Sequence, residues 1–278
     1  MSGAVVHSIL SPFTTRELLP LTTVSHRFYA LVLRLLHYRL LLSASLTEYK
    51  LILECYHPTS KLTEPHVFCI YLGTPGLSDK YEGEGSLYEN IDTARKLGRL
   101  GSVYSIFKPV EIPDDGPSNQ TSSNESLSMD DSASVKRSVD IEGFEDFSQL
   151  CVIVSVVKVR PGTHRLQSVV EVKDGVIRLF RDWLKNQAVG DRETTSQDLI
   201  LWADRDKNVG LKFRVREAPR LDSNFPVLVH RDEETFSSYD IVIEELHVRT
   251  TRLLLAVEQS VQEQENYSKA VVFTTSMG

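Results

Sequence analysis

Cysteine is scarce: Cys55, Cys69 and Cys151 are the only three in 278 residues. A small, odd number excludes a disulfide framework and suits a reducing compartment. Long apolar runs are also missing. The richest stretch, from Leu31 to Leu42, is interrupted by Arg34, His37 and Arg39, short of the roughly 20 residues that span a bilayer. No basic, apolar and small-residue succession marks a secretory leader. Positive charge does not dominate, since 31 basic residues face 38 acidic ones for a formal −7. Such a balance gives no field that would draw the chain onto nucleic acid or anionic lipid. Neither nucleic acid nor membrane is an expected partner, and the expected setting is cytoplasmic or nuclear.

Catalytic signatures are missing too. There is no phosphate-cradling G-x-x-x-x-G-K-[ST], no G-x-S-x-G elbow and no H-E-x-x-H helix. Glu244 and Glu245 are adjacent in an apolar run, so a regular strand would point them to opposite faces and they would form no acid/base pair. The expectation is a chain that is not an enzyme and carries no cofactor or metal.

What is present is ordinary globular composition, 41% hydrophobic and 25% charged, enough for one large or two modest domains. Strand signals dominate. Glu48–Tyr56 and His66–Leu72 are rich in β-branched and aromatic residues and are separated by Pro58 and Pro65, as in a hairpin with a long loop. Leu87–Leu97 reads as a short helix stopped at Gly98, and Ser102–Val110 as a strand. Further on, Leu150–Val159 is followed by Leu166–Val172, which the Asp174-Gly175 pair is expected to turn into Val176–Leu184. Leu199–Ala203, Val209–Val215, Val227–His230 and Tyr239–Val248 follow. Short strands without intervening helices predict an antiparallel sandwich. Arg249–Glu265 takes helical period through Leu253, Val257 and Val261, and should dock one stripe on the sheet. Lys269–Thr274 reads as a last strand.

Between these blocks the composition changes. Pro113–Ser138 holds eight serines, no aromatic residue and only four apolar ones. So little apolar surface cannot offset the entropy of ordering the backbone, so disorder is expected. Nine acidic residues against two basic ones between Asp114 and Asp146 carry the whole formal charge excess. Ser122 with Glu125, and Ser128 with Asp131, have the offset favoured by acid-directed kinases, and phosphates there would add further negative charge.

The first 45 residues have helical period. Apolar positions recur through Ile9, Leu10, Phe13, Leu18, Leu19, Leu21, Val24, Phe28, Leu31, Val32, Leu35 and Leu36, with Thr14 or Thr15 placed to cap a helix. Two or three short helices ahead of a sheet have little core of their own, and such pieces usually bind a partner. Their spacing resembles the F-box family: Ile9-Leu10 and Phe13, then Leu18-Leu19, then Val24-Ser25, Arg27 and Phe28. The Leu-Pro that opens the family pattern falls on Met1 and Ser2. The longer remainder also resembles fungal F-box proteins with an acidic insertion, around EYKLILECYHP, YEGEGSLYEN, GVIRLFRDWL and YDIVIEELHVRTT.

The resemblance implies docking of residues 1–45 on the Skp-type adaptor of a cullin–RING ubiquitin ligase, with Ile9, Phe13, Leu18, Leu19, Val24 and Phe28 making the contact. A protein target would then be held by the sandwich, built from residues 46–112 and 147–278 around an insertion at 113–146. The expected fold class is α+β: a helical F-box, an antiparallel sandwich, a disordered acidic insertion and a C-terminal helix. Two alternatives stand beside it. One is a ligand- or carbohydrate-binding sandwich whose helices only cap it. The other reads residues 1–47, with four arginines and Glu17 as the one acid, as an organelle-targeting peptide.

Smaller constellations carry weaker chemistry. Cys55 and His57 with His66 and Cys69 could offer zinc two sulfurs and two imidazoles, but regular strands would not point all four together. Asp204 and Asp206 after Leu199–Trp202 have the placement of glycosyltransferase carboxylates, but Asp206-Lys207-Asn208 also suits a polar hairpin turn. Trp183, Trp202 and Tyr239 could stack sugars or fill a core. Lys158, Arg160, Arg165, Lys173, Arg178 and Arg181 could form one basic strand face.

Overall fold

Each long strand buries alternate residues, and the burial defines one curved sheet. The computed structural model describes residues 9–77, 93–111, 134–159, 166–189, 200–218 and 236–268. These residues form nine strands: β1 (Lys50–Tyr56), β2 (Val67–Gly73), β3 (Tyr104–Val110), β4 (Val135–Ile141), β5 (Phe147–Val159), β6 (Leu166–Phe180), β7 (Ile200–Trp202), β8 (Val209–Glu217) and β9 (Ser237–Arg249). The helices are α1 (Thr15–Leu18) with a 3-10 turn at Leu19–Thr23, α2 (His26–Ala44), α3 (Thr93–Gly101), α4 (Arg181–Val189) and α5 (Thr250–Ser268).

The hydrogen-bonded order is β6-β5-β1-β2-β3-β9-β8-β7, all antiparallel, and β4 pairs with β9. Two separate packed sheets, as a sandwich requires, are therefore replaced by one continuous ladder that curls into a nearly closed barrel. Irregularities at Tyr71/Gly73, Val154/Ser155, Lys158/Val159 and Lys212/Phe213 accompany the curl, as extra strand residues increase local twist. Leu53, Phe107, Ile141, Val154, Leu179, Leu211, Ile243 and Leu246, from seven strands, meet in one apolar interior.

Three readings of the sequence change here. Gly98 does not stop α3, which runs from Thr93 to Gly101. Asp174-Gly175 does not turn: β6 runs unbroken from Leu166 to Phe180 along β5. Gly175 is needed for approach, since a Cβ there would lie 2.4 Å from the Ala203 carbonyl oxygen across the seam between β6 and the end of β7. The chain then becomes helical at Arg181, so Trp183 sits on α4 and packs against the core. The acidic stretch also ends sooner than its charge suggested. Residues 135–141 form β4, with Val135, Arg137, Val139 and Ile141 buried in alternation. Val227–His230 and Lys269–Thr274 lie outside the described residues, as does most of Pro113–Ser138.

The helices form a second layer with its own interior. Thr14 caps α1 in a box with Glu17, and the Ser25 hydroxyl accepts from the Phe28 N–H at the start of α2. Leu10, Leu18, Val32, Leu35, Leu36 and Leu40 pack together with Leu100 of α3 and Leu254 of α5. On the other side of α5, Leu253 and Ala256 enter the barrel core. Helix α5 thus joins the two hydrophobic clusters.

Candidate functional site

Folding α1 and α2 onto α5 sorts the apolar residues of the N-terminus into two sets. Leu18 is fully buried. Ile9 and Val24 are 57% and 63% exposed, Phe13 and Leu19 are also exposed, and Phe28 is half-buried. Of the six positions singled out for adaptor contact, four present their side chains outward, and Leu18 serves the interior. The polar anchor below them is Glu258 of α5. Its carboxylate accepts from the Thr15 N–H at 3.0 Å and the Thr15 hydroxyl at 2.7 Å, and pairs with Arg39 Nη1 at 2.9 Å. Arg39 also donates to the Ser11 and Phe13 carbonyls, fixing the chain where the exposed set begins.

A second polar site lies on the outer face of β3, β9, β8 and β7, and the sequence pattern hid it. Lys212 pairs with Glu245 and Phe213 with Ile243, so Glu244 is an extra residue with no partner on β8. The bulge turns both carboxylates to the outer side, correcting the expectation that they face apart. Lys212 Nζ donates to Glu245 Oε1 at 3.0 Å and lies 3.8 Å from Glu244 Oε2, and Arg214 pairs with Glu244. His247 Nε2 is 2.8 Å from Glu245 Oε2. Burial would raise the Glu245 carboxyl, but hydrogen bonds from Lys212 and His247 and their charges outweigh it and hold the group below the usual carboxylate range.

Two adjoining cavities open beside this cluster. One, of about 420 Å³, is lined by Tyr104, Ile106, Ile200, Lys212, Glu245 and His247 among others. Its neighbour, of about 360 Å³, shares Pro75, Ile106 and Glu245 and extends to Leu72. The wall from Gly73 to Pro75 is fixed by a chain of hydroxyls: Tyr71 to Thr74 at 2.8 Å, Thr74 to Ser105 at 3.0 Å and Ser105 to Thr250 at 3.0 Å. At the far side Trp202 lies on Gly210, where a Cβ would meet its ring at 2.8 Å, and against Tyr104 with ring centres 5.2 Å apart. Only the adjacency of Glu244, Glu245 and His247 signalled this site in the sequence, and a regular strand would have split the pair.

The other constellations resolve into structure. Cys55 is buried in the core and its thiol is pushed up to about 12 by burial; Cys69 packs against the same core and is raised for the same reason. His57 bonds Thr59 in its loop and His66 stacks edge-on with Phe68. No grouping of three metal-ligating side chains occurs among the described residues. Asp204 accepts from the backbone N–H groups of Asn208 and Val209 and from the Asn208 side chain, closing a turn with Lys207 at φ 54°. That is the turn role, and Asp206 only lends its carbonyl to Arg249. Tyr239 is buried in the core. Of the expected basic face, Arg181 is instead buried on α4 and donates to the Glu142 and Glu145 carbonyls, while Arg160 and Arg165 lie outside the described residues.

No helix among the described residues is long and apolar enough to cross a membrane. Comparison with protein-family models, with curated proteins and with solved structures returns no match.

Proposed function

We propose that this chain is the substrate-receptor subunit of a Skp–cullin–F-box type ubiquitin ligase, with its N-terminal helices on the Skp-type adaptor and its curved sheet holding a protein target. The observation that carries the reading is the exposure of Ile9, Phe13, Leu19 and Val24 along the N-terminal helical layer, whose interior is filled by Leu10, Leu18, Val32, Leu35, Leu36 and Leu40. Large apolar side chains left exposed within one short stretch of chain are a mark of protein interfaces. The family spacing supplies the identity of the partner.

A second reading is favoured by the cluster that joins α1 and α2 to Leu100 and Leu254. It makes the helices a structural cap on a ligand-binding sheet with no ligase role. Co-purification with the Skp-type adaptor separates the two. Wild-type chain is captured, and Ile9→Asp with Val24→Asp abolishes capture while the melting temperature is kept, because both side chains are exposed. Leu18→Asp is unsuitable for this purpose, since it places a charge in the interior and unfolds the helices. No capture of the wild-type chain rejects the ligase reading.

A further inference from the structure

The paired cavities on the outer face of β3, β9, β8 and β7 lie outside the apolar interior of the barrel. We propose that they bind an extended, uncharged peptide segment of the target, with apolar side chains at alternate positions. The inference rests on the reading of the sheet as the target-holding part and gives that reading a site.

The charges argue for a neutral, dipolar occupant. Lys212 and His247 stand as donors around Glu245, their shared acceptor. Of the residues that line the cavities, an anionic ligand would meet Glu245 and a cationic one Lys212. Backbone amides carry both an N–H and a carbonyl, and match such a row without net charge. The apolar parts argue for two side chains. Ile106 and Pro75 lie between the two cavities, Ile200 closes one and Leu72 the other. Leu72 and Ile70 stand on β2 beside them, 55% and 58% exposed. Side chains two apart in an extended segment point to one face, so adjoining cavities suit residues at alternate positions.

A neutral oligosaccharide would also satisfy mixed donors and acceptors, but it needs an open aromatic face. Tyr104 and Trp202 lie against each other, with Arg249 over Tyr104 and Lys207 over Trp202, and Trp202 rests on Gly210. Those ring faces are occupied, which favours the peptide.

The test uses the purified full chain against a random-peptide phage library and, in parallel, an array of neutral oligosaccharides. Expected are enriched peptides with apolar residues at alternate positions, whose affinity falls about tenfold or more, roughly 1.4 kcal/mol, with Leu72→Asp and with His247→Ala. Both variants should keep the wild-type melting temperature; Ile106→Asp is a third variant in the shared wall. Binding should be unchanged in Val24→Asp, on the helical surface. Absence of enriched peptides, enriched peptides indifferent to all three substitutions, or oligosaccharide binding lost with them would each overturn the inference. Adaptor capture is read separately, so loss of peptide binding with capture intact rejects this site and leaves the ligase reading in place.

Discussion

Gly175 shows how one missing side chain sets the closure of the barrel. Its place in β6 allows the Ala203 carbonyl to approach to where a Cβ would stand. Gly175→Ala should therefore destabilise by about 1–3 kcal/mol, the usual cost of forcing extra atoms into a packed contact. Urea unfolding checks it, and an unchanged midpoint would show that the seam can open without loss. His37 gives the opposite kind of sensitivity. It is buried on α2, and burial lowers its pKa from 6.5. The folded state thus prefers the neutral ring, while the unfolded chain takes up a proton below about pH 6.5. Stability from this residue is complete above that pH and is lost progressively as pH falls toward the folded value. Melting temperatures between pH 7.5 and 5 should fall less steeply in His37→Leu than in the wild type, whatever the substitution does to the absolute value.

At the scale of elements, regular periodicity was legible and local exceptions were not. The ranges of β1, β2, β3, β5, β8, β9 and α5 follow from runs of apolar, β-branched residues and from the four-residue spacing of Leu253, Val257 and Val261. β4 escaped notice because Arg137 occupies one of its inward positions. There its guanidinium donates to the Cys55 carbonyl at 2.7 Å and lies 3.5 Å from Glu64, partners remote in sequence. The outer-face site escaped for a related reason: a bulge depends on the register of the partner strand, and no single strand encodes that register. Two sheets were expected because alternation fixes which side of a strand is buried but not whether the sheet curls on itself. Helix α5 carries the polar lock that the sequence also concealed, since Glu258 meets Thr15 and Arg39 from more than 200 residues away. Glu258→Ala deprives Arg39 of its carboxylate and the Thr15 N–H of its acceptor in a site where both charged side chains are less than one-fifth exposed. A loss of about 1–3 kcal/mol is expected, confined to the helical layer. Faster amide exchange across residues 9–44 with unchanged exchange in β5 and β9 would show it, and a uniform change would mean the layers unfold together.

For the whole molecule, the acidic stretch that dominates the net charge is an insertion into one edge of β9. β3 pairs with Leu246–Arg249 and β4 with Ser237–Ile243, both on the side opposite β8. The chain leaves β9 in β3, which stays with β2 to Val110, and returns in β4 with Val135 opposite Ile243. The same edge is thus filled in succession before and after the insertion. Replacing residues 114–131 by a short Gly-Ser linker removes five acids and no base, taking the formal charge from −7 to −2, while every described strand keeps its partners. Loop-closure entropy changes by only about 0.6 kcal/mol for each halving of length, so the shortened chain should melt at the wild-type temperature or slightly above. A marked loss of stability would instead mean that the acidic segment contributes contacts to the sheet. The same variant separates fold from turnover. If the serines and acids of this stretch act through phosphorylation or degradation, its cellular half-life lengthens with no change in melting, whereas equal half-lives confine the segment to a connecting role.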